Sequence, residues 1–304
     1  MDTTTLAGRE TSRIGFGCGR LVGGATVGTS IRLIEQARML GITHFDVAPS
    51  YGLGFAEDVL AKALADDDAV TVTTKVGIGR PTNAKLKSVA RQILRPLLSA
   101  SPQLRKRLAS KAGAGARDQF APSTVEQSLT ESLRRLRRDR VDVLLLHEPS
   151  PDSVTPELAS MMEAFVREGR ALQIGSGTGN DHDTLVPFGT VLQYRWGPGA
   201  PADNRGTDIV HGVLRYYPKP REPGRAFADE MRALGFDPEN PAAWPGFLLT
   251  LALASIPRSI VLVSSTDPSK LRTAISAIDW SAARGKRPDF VKQAAALLQQ
   301  FRID

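Results

Sequence analysis

Several things are scarce in this chain, and each scarcity narrows what it can be. Cys18 is the single cysteine, so no disulfide can form within the chain. A chain of 304 residues needs none, because it can bury most of the surface its unfolded form exposes. Cysteine this rare fits a reducing compartment. Histidines number only four, and no spacing of His, Cys, Asp and Glu matches a metal-ligand set. The longest apolar stretch, Phe247 to Ile256, is too short to cross a bilayer. The opening residues, Met1 to Glu10, are polar and lack the apolar core of a secretory signal. A cytoplasmic protein without a membrane partner is the expectation. No internal repeat, low-complexity tract or linker divides the sequence, so a single domain is expected over residues 1–304. A dinucleotide fingerprint of the G-x-G-x-x-G kind is also missing. The two glycine-rich runs, Gly15-Phe-Gly-Cys-Gly19 and Gly175-Ser-Gly-Thr-Gly179, have the wrong spacing and read as tight turns.

Acidic residues are absent from one long stretch. Between Gly79 and Arg117 stand ten basic residues, Arg80, Lys85, Lys87, Arg91, Arg95, Arg105, Lys106, Arg107, Lys111 and Arg117, with no Asp or Glu among them. The formal net charge of +7 is therefore local, and the rest of the chain is close to balanced. Leu86, Val89, Ile93 and Leu97 recur at helical spacing, with Pro96 placed to kink or end that helix. An insertion over 79–118 can be a helical unit packed on the fold or a lid that attracts anionic substrate. Nucleic-acid binding is not expected, since no aromatic residues interleave the basic ones and no reading motif is present.

What the chain has in abundance is alternation. Candidate strands are Ser12–Gly17, Thr43–Ala48, Val70–Lys75, Val141–His147, Ala171–Ser176, Val191–Tyr194, Asp208–Leu214 and Ser259–Ser264. Several read as continuous apolar runs, the pattern of strands covered on both faces. Amphipathic stretches at Ser30–Leu40, Ala56–Ala65, Ser123–Arg137, Pro156–Arg167 and Pro268–Ile278 separate them. Gly41 is placed to cap the first, and Ser123 with Glu126 has the form of a capping box. Eight strands alternating with helices predict an α/β protein, a closed (β/α)8 TIM barrel with a long basic insertion after the third strand. An open doubly wound sheet is the competing architecture.

Four ionisable residues fall at or just past candidate strand ends: Asp46, Tyr51, Lys75 and His147. In a parallel barrel these ends converge on one mouth. Apolar strands do not end in Asp, Lys and His unless those groups pair. A phenol with a pKa near 10 is a poor acid at neutral pH, and a neighbouring ammonium is expected to lower it. An aspartate holds that ammonium in place, and a histidine orients a carbonyl or shares the proton. Together they suit protonation of a developing alkoxide during hydride transfer. His44, His182 and His211 lack this context and read as structural.

The segment His44-Phe-Asp-Val-Ala-Pro-Ser-Tyr-Gly52, with Glu57 soon after, resembles the signature of the aldo-keto reductases around their catalytic aspartate and tyrosine. Thr73-Thr-Lys75 is similar to their lysine-bearing strand, and Asp142-Val-Leu-Leu-Leu-His147 to their histidine-bearing one. The resemblance runs from Arg13 to about Ile275. It implies an oxidoreductase that reduces a small aldehyde or ketone, or oxidises the alcohol, with NADP(H). Tyr51 would be the general acid, and Asp46, Lys75 and His147 would complete the catalytic set. It implies cofactor contacts from Gly17, Thr178, Gln193, Ser264, Ser265, Lys270 and Arg272. Thr266 or Asp267 is placed to cap the following helix, whose positive end favours an anion. Departures from the family pattern are Ser264 in place of a frequent lysine, Ala274 in place of asparagine, and Gly177-Thr178 in place of a Ser-Asn pair. The competing function is a nicotinamide-nucleotide sensor with little turnover.

Overall fold

The expected strand runs pair side by side and in parallel, and the last returns to the first. The computed structural model describes residues 1–21, 27–64, 67–81, 116–179, 184–197, 207–216 and 224–301. The barrel strands are β3 (Ile14–Gly17), β4 (His44–Asp46), β5 (Thr71–Val76), β6 (Val141–His147), β7 (Ala171–Gly177), β8 (Val191–Arg195), β9 (Ile209–His211) and β10 (Ile260–Val263). Strand β10 pairs with both β9 and β3, which closes the barrel and rules out the open sheet. The region expected as one strand at Asp208–Leu214 splits. Gly212 takes a left-handed φ of 83°, which ends the strand, and a short helix occupies Val213–Tyr216.

Two further strands, β1 (Thr3–Leu6) and β2 (Arg9–Ser12), form an antiparallel hairpin before the barrel. Of these residues only Ser12 falls in an expected strand, Ser12–Gly17. Leu6 from the hairpin is buried with Val143, Leu145, Val191, Ile209, Ile260 and Leu262, which fill the barrel interior. These residues fix the parity of the strands. Side chains alternate along a strand, so Lys75, His147, Gln193 and His211 share the inward face with the residues two positions before them.

The helices covering the barrel are α1 (Val27–Met39), α2 (Ala56–Leu64), α3 (Pro122–Leu136), α4 (Pro156–Arg167), α5 (Val213–Tyr216), α6 (Arg225–Ala233), α7 (Ala243–Ser255), α8 (Pro268–Ser276), α9 (Trp280–Ala283) and α10 (Phe290–Gln300). After α1, Gly41 has a φ of 85°, as its capping role requires. The expected capping box at α3 does not form. Pro122 opens that helix behind Ala121, and no side chain caps it. A proline at the first helical position supplies the right φ and removes one unpaired N–H, so the box is unnecessary. Glu126 instead accepts from Thr130 and Arg170. Helix α7 is apolar on every side and almost wholly buried; its Trp244 and Phe247 rings stack on each other, and Phe290 meets Phe247 edge-on. It contains most of the apolar run that was too short for a membrane. No described helix is long and apolar enough to cross one.

Residues 82–115, and with them the expected helix from Lys85, Leu86 and Lys87 through Val89, Arg91, Ile93, Arg95 and Pro96 to Leu97, lie outside the described residues, as does His182. The described residues on either side of 82–115 meet. Gly79 donates its N–H to Ala116 (3.0 Å) and Gln119 donates to Gly77 (3.0 Å). Arg80 pairs with the buried carboxylate of Glu57, which also accepts from Thr74 at 3.1 Å. Glu57 therefore ties α2, β5 and the residues just after β5 together.

Candidate active site

Inward parity and strand ends together assemble the site. Asp46 ends β4, Lys75 is one residue from the end of β5, His147 ends β6, and Gln193 lies two residues before the end of β8. All four are buried. The Lys75 ammonium pairs with Asp46 Oδ2, and Gln193 Nε2 donates to the same oxygen at 2.7 Å. One carboxylate thus collects two donors, the pairing a charge needs when it leaves water.

Tyr51 arrives from a tight turn after β4. Gly52 and Leu53 have φ of 57° and 60°, and a Cβ on Gly52 would lie 1.7 Å from the Leu21 carbonyl oxygen. Only glycine fits there, and this turn brings the Tyr51 ring over Lys75, with Nζ 5.4 Å from its centroid. The ring also meets the edge of His147, with centroids 5.8 Å apart at 85°. All four expected catalytic residues are therefore neighbours at the carboxyl ends of the strands.

Their protonation differs from the expectation at one point. The Tyr51 phenol is pushed well above its usual 10 by burial, with the charges of Asp46 and Glu148 adding to the shift. The expected lowering by Lys75 is absent because the ammonium is engaged by Asp46 and sits over the ring face. Burial lowers Lys75 against the opposing pull of Asp46. Burial also drives His147 well below 6.5, with Lys75 and Arg117 contributing, and its Nδ1 is buried without a hydrogen-bond partner. The mouth thus holds a protonated phenol beside a neutral imidazole. Burial raises the Cys18 thiol as well, which keeps it inert.

Glycines at the strand ends let two side chains pack against the backbone beside this cluster. A Cβ on Gly177 would sit 3.1 Å from Gln193 Oε1, and one on Gly17 would meet Ser264 Oγ at 2.6 Å. Thr178 donates its N–H to the Gln193 carbonyl at 2.8 Å. Ser264 Oγ donates to the Gly17 carbonyl at 2.9 Å and ties β3 to the end of β10. His211, expected to be structural, ends β9 at this same mouth. Its Nε2 lies 3.4 Å from Thr178 Oγ1. Parity with Ile209 was the signal that could have found it.

The expected phosphate segment is described too. Asp267 caps α8, accepting from the N–H groups of Ser269 (2.9 Å) and Lys270 (3.4 Å). Ser265 Oγ is engaged by the Asp267 backbone, and exposed Arg272 donates to Gln36 at 3.0 Å. The helix end therefore already carries its own carboxylate, and the Lys270 side chain stands exposed beside it.

The buried histidines bear on stability. Burial lowers His44 from 6.5 to about 4. The unfolded chain takes up this proton near 6.5 and the folded chain only near 4. Between those values the unfolded state binds more protons, and stability falls as pH falls. The full effect of His44 is about 3 kcal/mol. Denaturant unfolding at pH 7, 5.5 and 4 should show His44→Gln losing less stability than the native chain over that window. Equal losses would remove His44 as a source.

Comparison with known proteins agrees with this fold. Fold and site together define a closed (β/α)8 barrel with its ionisable residues gathered at the carboxyl-terminal mouth. The model of the Aldo/keto reductase family matches residues 13–185, and the chain belongs to that family. Aldo-keto reductase YhdN of Bacillus subtilis is 28% identical over 184 residues, which are 58% of this chain and 46% of that protein. The chain spans about half the length of the curated relatives it matches. Among solved structures, the glycerol dehydrogenase AKR11B4 of Gluconobacter oxydans superimposes with a TM-score of 0.70 at 19% identity, covering 100% of this chain and 97% of that one. An aldo/keto reductase from Klebsiella pneumoniae in complex with NADP and acetate gives 0.62 at 16%, covering 99% and 96%. Gln193, Ser264, Ser265, Lys270 and Arg272 all lie beyond the part matched by the family model.

Proposed function

We propose that this chain is an NADP(H)-dependent oxidoreductase that interconverts a small aldehyde or ketone and its alcohol, with Tyr51 as general acid. The observation that carries this reading is the Asp46–Lys75 pair lying under the Tyr51 ring, with His147 at the ring edge. The nicotinamide, when bound, supplies the hydride. Gln193, with Thr178 and the Gly17 and Gly177 backbone, is the side chain suited to hold its carboxamide. Gln193 is itself fixed by Asp46, so the ring site and the proton-delivery site share one carboxylate. Tyr51 gives its proton to the oxygen that gains charge, and neutral His147 orients that oxygen. Asp46 keeps the ammonium fixed so that the phenol is placed without side-chain search.

NADP(H) is the preferred form in this reading. Lys270 supplies the charge for the 2′-phosphate, with Ser265 and Arg272 beside it, and Ser264 and Gly17 frame the approach. The NADP named with the Klebsiella pneumoniae structure supports the choice. The test follows absorbance of NADPH and NADH with a panel of aldehydes and ketones. Dissociation constants of both cofactors are measured with the native chain and with Lys270→Ala. Expected are turnover with some carbonyls and an affinity for NADPH that falls by about tenfold in the variant, the scale of one charge-assisted contact. Cofactor binding without turnover across the panel would favour a sensor. Equal affinities in the native chain would remove the NADP preference.

A further inference from the structure

One pair at the mouth is not used by the chemistry above. Glu148 follows His147 directly and holds a left-handed φ of 55°, which a side chain adopts only when its surroundings enforce it. Its N–H donates to the Gly177 carbonyl at 2.7 Å. Its carboxylate lies where a Cβ on Gly179 would come within 1.5 Å of Oε1, so the last glycine of the Gly175–Gly179 run makes room for it. Arg117 closes on it: Nη1 pairs with Glu148 Oε2. Glu148 is 10% exposed and Arg117 49%, so the anion lies inside and the cation faces outward. Among the described residues Glu148 is the one hydrogen-bond partner of Arg117, which leaves the rest of the guanidinium fork free. Glu148 is joined directly to His147 in the chain, and the charges of the pair are felt there: Arg117 helps lower His147 and Glu148 helps raise Tyr51.

We propose that Arg117, clamped by Glu148, selects substrates that carry a carboxylate near the reacting carbonyl. The assignment rests on the carbonyl-reducing reading of the site and names its substrate class. A largely covered carboxylate with its own arginine stands directly after His147. Its effect is to hold one edge of a guanidinium while the other stays exposed. A planar fork fixed in this way meets a carboxylate in two parallel hydrogen bonds.

The experiment compares 4-carboxybenzaldehyde with its neutral amide, 4-carbamoylbenzaldehyde, in the native chain, Arg117→Gln and Arg117→Lys. Turnover gives kcat and KM, and calorimetry in the presence of NADP⁺ gives dissociation constants for the same two compounds without reduction. The native chain should favour the carboxylate in kcat/KM by about tenfold or more, mainly through KM, the scale of a hydrogen bond between charged groups. Arg117→Gln should bring the ratio near one, and Arg117→Lys, which keeps the charge, should retain part of it. An unchanged ratio in Arg117→Gln, or a native preference for the neutral amide, overturns the assignment while the carbonyl reading stands. If neither compound is reduced, the reading of the site fails. The dissociation constants then still decide whether Arg117 is a carboxylate receptor.

Discussion

Tyr51→Phe is expected to bind NADPH as tightly as the native chain and to reduce carbonyls ~10²-fold more slowly or worse, the range of a positioned general acid. The substitution removes one oxygen and leaves the ring, so the edge contact with His147 and the face over Lys75 survive. The loss should fall on kcat. The direction of the Tyr51 shift adds a second reading. A phenol held well above 10 stays protonated throughout the neutral range, and an imidazole held well below 6.5 stays neutral there. Reduction by the native chain should therefore show no break in kcat/KM at pH 6.5 or at pH 10. Near-native turnover by Tyr51→Phe would exclude the phenol as the proton source, and a break at 6.5 would mean that His147 titrates in the working range.

The second large effect concerns Lys75. Lys75→Met leaves the Asp46 carboxylate buried with Gln193 as its remaining side-chain partner among the described residues. Removing one member of a buried ion pair costs about 3–5 kcal/mol. The variant should unfold at lower denaturant and lose turnover by ~10²-fold or more. Loss of fold alone could produce both results, so the double variant Asp46→Leu/Lys75→Met separates them. Apolar replacement of both partners is often neutral for stability, so the double variant should regain most of the lost stability and none of the turnover. If it regained turnover, the pair would be structural packing rather than part of the proton-delivery site. If the single variant kept native stability, Asp46 would not depend on Lys75.

Much of this protein was legible because its chemistry and its periodicity coincide. Val141–His147 reads as a strand buried on both faces and ends in a histidine, and the structure gives the same seven residues the same role. Asp46, Tyr51 and Lys75 follow from strand ends and a glycine turn in the same way. The short hairpin Thr3–Leu6 and Arg9–Ser12 was not legible, since its one strongly buried apolar residue, Leu6, gives no pattern until the barrel it plugs exists. The run Phe247–Ile256 had no period to read, because a helix buried on every side carries no polar face. The capping box at Ser123 was a false signal, overridden by Pro122 one residue earlier.

The sequence by itself determined the alternation of strands and helices, the parallel arrangement, and the four residue types at the strand ends, since these depend on local periodicity and on what a buried strand tolerates. Only the tertiary structure decided the rest. Ring closure between β10 and β3 joined segments about 245 residues apart. The Tyr51 phenol moved up rather than down, because the ammonium meant to lower it was already held by Asp46 and the low-dielectric interior disfavours a phenolate. His211 came to the mouth by parity alone, and Arg117 came to Glu148 because the chain at 77–79 pairs with that at 116–119. Such distances and burials are set by pairings far apart in the chain, and local patterns do not encode them.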